Sequence, residues 1–186
     1  MSKLTDFVKF VFFPLKYILD NIFFKNKSIL LTGPKSSGKT TFLRHFKKDI
    51  IEGATSAHQE YVVNDTHFKK VKDMAGDSAW LDERFDREIE GYDYILLFFN
   101  VSEYVKDEDY RDDSNARIQM IHNICKKTNQ KLLLVGTHID FGECYRCKVI
   151  DIITKKPYKE VINNLVFIDT RREADVKTKV LDKLKE

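Results

Sequence analysis

Gly33-Pro34-Lys35-Ser36-Ser37-Gly38-Lys39-Thr40 fits the spacing GxxxxGK[ST], that of a loop whose backbone N–H groups turn inward on a polyphosphate. Each residue type there has a physical reason. Gly33 and Gly38 permit backbone angles and a close approach that side chains would obstruct, Lys39 is placed to reach the β- and γ-phosphates, and the Thr40 hydroxyl can ligate magnesium. A second candidate is Asp73-Met74-Ala75-Gly76. A carboxylate at a strand end can hold magnesium through water, and a glycine N–H can bond a γ-phosphate and release it when it leaves. No other strand end offers a rival carboxylate, because residues 94–99 run into Asn100 and residues 131–135 run into Gly136-Thr137. The third group, Thr137-His138-Ile139-Asp140, closes the later of those strands.

Such groups need rigid elements to hold them. Residues 28–32 have the short apolar character of a buried parallel strand, and Phe42, Leu43 and Phe46 continue at helix-compatible spacing, so the phosphate loop has a strand before it and a helix after it, through about Ile51. Residues 59–63 and 67–72 read as a hairpin around Asn64-Asp65-Thr66, with Lys69, Lys70 and Lys72 unusual for a buried strand. Residues 94–99 and 131–135 are buried strands, and residues 165–169 are strand-like. Residues 77–90 read as partly helical, 103–113 as an acidic loop, 115–127 as a helix with His122 at the core edge, and 175–185 as a terminal amphipathic helix. Strands alternating with helices in this way specify an α/β fold with a mostly parallel sheet covered on both faces.

These three signatures, in this order, resemble those of the small G domains of the Ras-like GTPase superfamily, over residues 27–186. The resemblance implies a three-layer P-loop G domain with a six-stranded sheet, binding GTP or GDP with Mg2+ and recruiting effector, activating and exchange proteins. It carries nucleotide binding onto residues 33–41, including Thr41, and onto Thr137, His138 and Asp140. Asp140 becomes the guanine reader, since a carboxylate facing adenine would meet an acceptor. His138, where the family has Lys, is similar to the Roco-type domains. Gly-Lys-Thr-Thr, a short first switch and an amphipathic segment before the first strand look Arf-like.

The chain departs from the family pattern at three places. The switch threonine that would join Thr40 and Asp73 on magnesium is best matched by Thr55, with Ser56 and Thr66 as weaker matches. After Gly76 comes Asp77 rather than Gln; a carboxylate near a phosphate implies slow hydrolysis, or hydrolysis that needs a partner's arginine. Lys39, Thr55, Gly76 and Asp77 are thus the candidate catalytic set. The last nucleotide loop, a contact made largely by backbone in the family, falls on Thr170 and Arg171. Two rival readings stay open: a non-hydrolysing GTP-binding scaffold, and a P-loop ATPase or small-molecule kinase.

Among 186 residues, 32 basic side chains stand against 29 acidic ones, and the resulting +3 gives no electrostatic footprint for nucleic acid. Residues 1–26 read as a separate amphipathic helix. Leu4, Phe7, Val8, Val11, Leu15, Ile18, Leu19 and Ile22 form its apolar stripe, and Pro14 divides it. Asp6, Lys9, Lys16 and Asp20 oppose a membrane span, since each mid-bilayer charge costs about 2.5–3.5 kcal/mol. An interfacial helix and a helix packed on this domain or a partner are the alternatives. Three cysteines without a signal segment favour a cytoplasmic setting, peripheral to a membrane if residues 4–24 bind one. The lone pair Cys144 and Cys147 lacks the two further ligands that tetrahedral zinc requires.

Overall fold

The computed structural model describes residues 27–45, 59–61, 68–74, 85–139 and 143–186. Six strands form one sheet in the order β2-β3-β1-β4-β5-β6: β1 is Ser28–Thr32, β2 Gln59–Tyr61, β3 Lys70–Asp73, β4 Tyr94–Asn100, β5 Lys131–Thr137 and β6 Leu165–Phe167. All neighbours pair in parallel except β2, which runs antiparallel to β3 at one edge. The six-stranded, mostly parallel α/β sheet expected from sequence is therefore present.

The central strands read as unbroken apolar runs because both faces are covered. Ile95, Leu97 and Phe99 of β4 point into a core shared with α2 (Phe85–Glu90), α3 (Val101–Lys106), α4 (Glu108–Thr128) and α5 (Glu143–Thr154). Tyr94, Leu96 and Phe98 point the other way, against Phe42 and Leu43 of α1 (Lys39–Arg44) and against Val176, Val180, Leu181 and Leu184 of the C-terminal helical stretch. That stretch is α6 (Glu173–Asp175), a π turn over Val176–Val180, and α7 (Leu181–Lys185). Of the three lysines around β3, Lys69 is exposed before the strand begins, and the other two have a local explanation. The strand alternates, with Val71 and Asp73 buried and Lys70 and Lys72 half-buried; Lys70 Nζ lies 4.8 Å from the Tyr92 ring centre, and Lys72 pairs with Glu88 at 2.9 Å.

One expectation is overturned. Residues 103–113 are not an acidic loop, because α3 and the first turns of α4 occupy them. Asn100 Oδ1 caps α3 by accepting from Ser102 N and Glu103 N, Asp107 caps α4 by accepting from Tyr110 N, and Glu108 and Asp109 lie in the first turn of α4, where carboxylates are favoured. The acidic residues are helix-start signals, so α4 begins at Glu108 rather than near Asn115. Helix α5, which carries Cys144 and Cys147, had no counterpart in the sequence reading.

Candidate functional site

The C-terminal end of β1 lies between β3 and β4, where successive connections leave in opposite directions and an open α/β sheet leaves a crevice. The chain turns there through residues 33–38 before α1 begins at Lys39. Three positive φ angles make the turn: Gly33 at 136°, Ser36 at 61° and Gly38 at 89°. A Cβ on Gly33 would lie 2.1 Å from the Phe98 carbonyl oxygen, so only glycine lets the loop lean on β4. Lys35 and Ser36 are exposed, Pro34 and Ser37 are buried, and Gly38, Thr40 and Thr41 are half-buried.

Lys39 is folded back across this loop and only 6% exposed. Its Nζ donates to Gly33 O at 2.8 Å, Pro34 O at 2.9 Å and Ser37 Oγ at 3.2 Å. Two carbonyls thus fix the ammonium, and the longest of the three bonds is the one that a phosphate oxygen can replace most cheaply. Burial pulls its pKa down to about 8; Asp73 opposes that and Arg117 adds to it. A charged lysine held in this way is stabilised by an incoming anion.

Asp73 is 1% exposed and stands opposite Leu31 in the β1–β3 register, with Met74 N donating to Leu31 O at 3.0 Å. Its carboxylate and the Thr40 hydroxyl are hard oxygen donors, the set that suits magnesium.

On the other side, Thr137 ends β5 fully buried and ties three elements together. Its Oγ1 lies 2.9 Å from Ser37 O, 3.1 Å from Phe99 O and 2.8 Å from His138 Nδ1. The hydroxyl has a single proton for the two carbonyls, which leaves a lone pair to accept from His138 Nδ1–H. His138 is exposed at φ 55°, a left-handed angle that turns the chain out of the sheet. Thr170 is buried with its methyl 3.4 Å from where a Cβ on Gly38 would sit, and His45 Nε2 donates to its carbonyl at 2.6 Å. The loop after β6 is therefore pinned to α1. Arg171 turns to Asp169 instead, with Nε 2.9 Å and Nη2 3.0 Å from the carboxylate oxygens.

The fold thus gathers residues 33–41, Asp73, Thr137, His138 and Thr170 at one end of the sheet. Thr55, Ser56, Thr66, Gly76, Asp77, Asp140 and residues 1–26 lie outside the described residues. The latch from Thr137 to the phosphate loop was missed in sequence, where Thr137 reads only as part of the base motif. The His45–Thr170 contact was also missed; it carries no sequence signal, since it spans 125 positions. Among the described residues no group of three metal-ligating side chains forms, and Cys144 and Cys147 are exposed free thiols.

Solved structures that share this architecture include a GTP-binding protein and two nucleotide-bound structures of Era. A probable GTP-binding protein EngB matches with a TM-score of 0.60 at 15% identity, over 85% of this chain and 96% of that one. Aquifex aeolicus Era bound to GDP and AlF4− matches at 0.62 and 21% identity, and Era in complex with MgGDPNP and a segment of 16S ribosomal RNA at 0.58 and 20%. The chain spans little more than half of each Era chain, 56% in both cases. No family model matches it, and no curated protein matches it in sequence. The chain has the P-loop GTPase fold.

Proposed function

We propose that the chain is a guanine-nucleotide switch protein that binds Mg-GTP at residues 33–41 and hydrolyses it slowly to GDP and phosphate. The observation that carries this reading is the Lys39 ammonium, fixed by Gly33 O and Pro34 O at the sheet end where Asp73 and Thr137 converge. The Lys39 charge and the loop N–H groups bind the phosphates. Thr40, Asp73 and Thr55 are the oxygen donors assigned to magnesium, which when bound neutralises charge developing on the phosphate oxygens. Asp140 reads guanine, His138 packs beside the base, and Thr170 and Arg171 supply the last loop. Gly76 reports the γ-phosphate to the segment that follows it, and Asp77 accepts from the attacking water while its own charge keeps the reaction slow.

Effector, activating and exchange proteins would read the two switch segments. Residues 4–24 would dock the protein to the cytoplasmic face of a membrane as an interfacial helix, and among the described residues no helix is long and apolar enough to cross one. The ribosomal RNA in one Era structure belongs to that protein, and with a net charge of +3 no nucleic-acid partner is proposed here.

Chromatography of the nucleotide released from denatured protein tests the binding reading. GDP or GTP is expected; a protein that takes up neither, and is stabilised more by ATP than by GTP with Asp140→Ala leaving that order unchanged, overturns it. Asp77 in place of Gln favours a second reading, a GTP-binding scaffold without turnover. Single-turnover hydrolysis separates the two, and no phosphate release with any candidate activator selects the scaffold. Liposome flotation of the full chain against one starting at Lys27 decides the docking role, and equal flotation removes it.

A further inference from the structure

The nucleotide site uses neither thiol of the Cys144 and Cys147 pair. Both lie on α5 three positions apart, the spacing that sets two side chains side by side on one face of a helix. That face is turned outward: Cys144, Cys147, Lys148 and Asp151 are exposed, while Val149 and Ile153 are buried in the core. Both thiols are free. Cys125 is different, because it is buried and burial pushes its thiol up to about 11. The ground around the exposed pair is positive. Lys106 Nζ at the end of α3 and Lys148 Nζ stand 5.8 Å and 5.6 Å from the ring centre of Tyr145, the residue after Cys144. Cys144 also lies in the first turn of α5, where backbone N–H groups favour negative charge.

We infer that Cys144 and Cys147 form a two-thiolate site for a soft monovalent metal ion, Cu(I), on the outward face of α5. Thiolates select soft ions. Structural zinc takes four ligands and an iron–sulfur cluster four cysteines, but among the described residues no group of three ligating side chains forms. Asp151, one turn beyond Cys147, is a hard oxygen donor and is held by Lys155 at 2.7 Å. Cu(I) is satisfied by two sulfurs alone. A direct disulfide suits the pair less well, because helix neighbours at this spacing keep their Cβ atoms about 5–6 Å apart and a disulfide draws them to about 3.5–4.5 Å. Such a bond would unwind the first turn of α5, whereas an ion set between the sulfurs does not. Binding exchanges two thiol protons for one Cu(I), which leaves one net negative charge on the pair. The start of α5 and the two lysines offset that charge. The site is built by one helix and does not depend on the nucleotide reading.

The test is an anaerobic titration of the reduced full chain with Cu(I) in competition with the chromogenic chelator bicinchoninate. It compares wild type, Cys144→Ser, Cys147→Ser, and Cys147→Ser combined with Ile150→Cys. All three substituted positions are exposed, and circular dichroism checks that the helices are kept. Wild type should withdraw one Cu(I) per chain with no change in its elution on gel filtration, and X-ray absorption should show two sulfur neighbours. Each single variant should bind about 100-fold or more weakly, since one of two ligands is gone. The combined variant keeps the number of thiols but breaks their spacing, and should bind no better than Cys147→Ser. Wild-type affinity in the combined variant or in either single one would mean that any surface thiol takes up copper, and overturns the inference. A wild type that takes up no Cu(I), or that holds it only among four sulfurs as two chains associate, overturns it as well.

Discussion

The two ends of the sheet treat charge in opposite ways. At the N-terminal end, Asp93 accepts from Ser28 N and Ser28 Oγ, each at 2.8 Å, and from Lys27 Nζ at 3.3 Å. Burial alone would raise its carboxyl pKa, but the Ser28 and Lys27 bonds outweigh that and hold it below the usual value. At the C-terminal end the Lys39 ammonium is bonded yet still pulled down to about 8, a native-state cost on the order of 3 kcal/mol against an exposed lysine. The positive-φ residues Gly33, Ser36, Gly38 and His138 also cluster there. One end is satisfied by the fold itself. The other holds charge and unusual backbone angles that a polyanion would satisfy, as expected of a site that must favour a ligand over its own empty state.

The sharpest way to break this contrast is Lys39→Ala. Nucleotide affinity should fall by about 100-fold or more, while Tm of the nucleotide-free protein holds or rises, because the buried charge is gone. Calorimetric titration and thermal unfolding read the two quantities, and a fall in both would mean that Lys39 chiefly supports the fold.

Thr137→Val comes next. It leaves Ser37 O without its hydroxyl donor and is expected to remove about 1–3 kcal/mol of stability, measured by urea unfolding, and to weaken nucleotide about ten-fold by loosening the loop. Unchanged stability would mean that the latch is not made in solution.

A pH series sharpens the comparison. The folded-state pKa of Lys39 lies near 8 against an ordinary 10.5, so the nucleotide-free protein loses this group's penalty as pH rises from 8 toward 10.5. A bound polyanion raises the same pKa, so affinity should fall by up to about ten-fold per unit above pH 8. Lys39→Arg, which cannot deprotonate, should show only the slope due to the base itself.

The smallest effect belongs to the far end. Asp93→Asn should lower stability by about 1 kcal/mol at pH 7, a figure discounted because the side chain is 37% exposed, and should leave nucleotide affinity unchanged. With its folded pKa depressed, Asp93 contributes stability above the ordinary carboxylate pKa and loses it as pH falls through the folded value, so the variant's disadvantage should vanish in acid.

What residue order alone determined was whatever depends on neighbours in the chain. The spacing of Gly33, Gly38, Lys39 and Thr40, and the apolar runs that became β1, β4 and β5, are local patterns with few physical solutions. Asp73 was reached by elimination among strand-end carboxylates, and it stands at the end of β3 opposite Leu31 of β1. Local reading failed where a residue type has two uses. The acidic stretch before Asn115 has the polarity of a loop, but its Asn100 and Asp107 caps and first-turn carboxylates start two helices. Only the folded chain decided that Thr137 would hold Ser37 and that His45 would hold the Thr170 carbonyl, since each joins residues far apart in sequence.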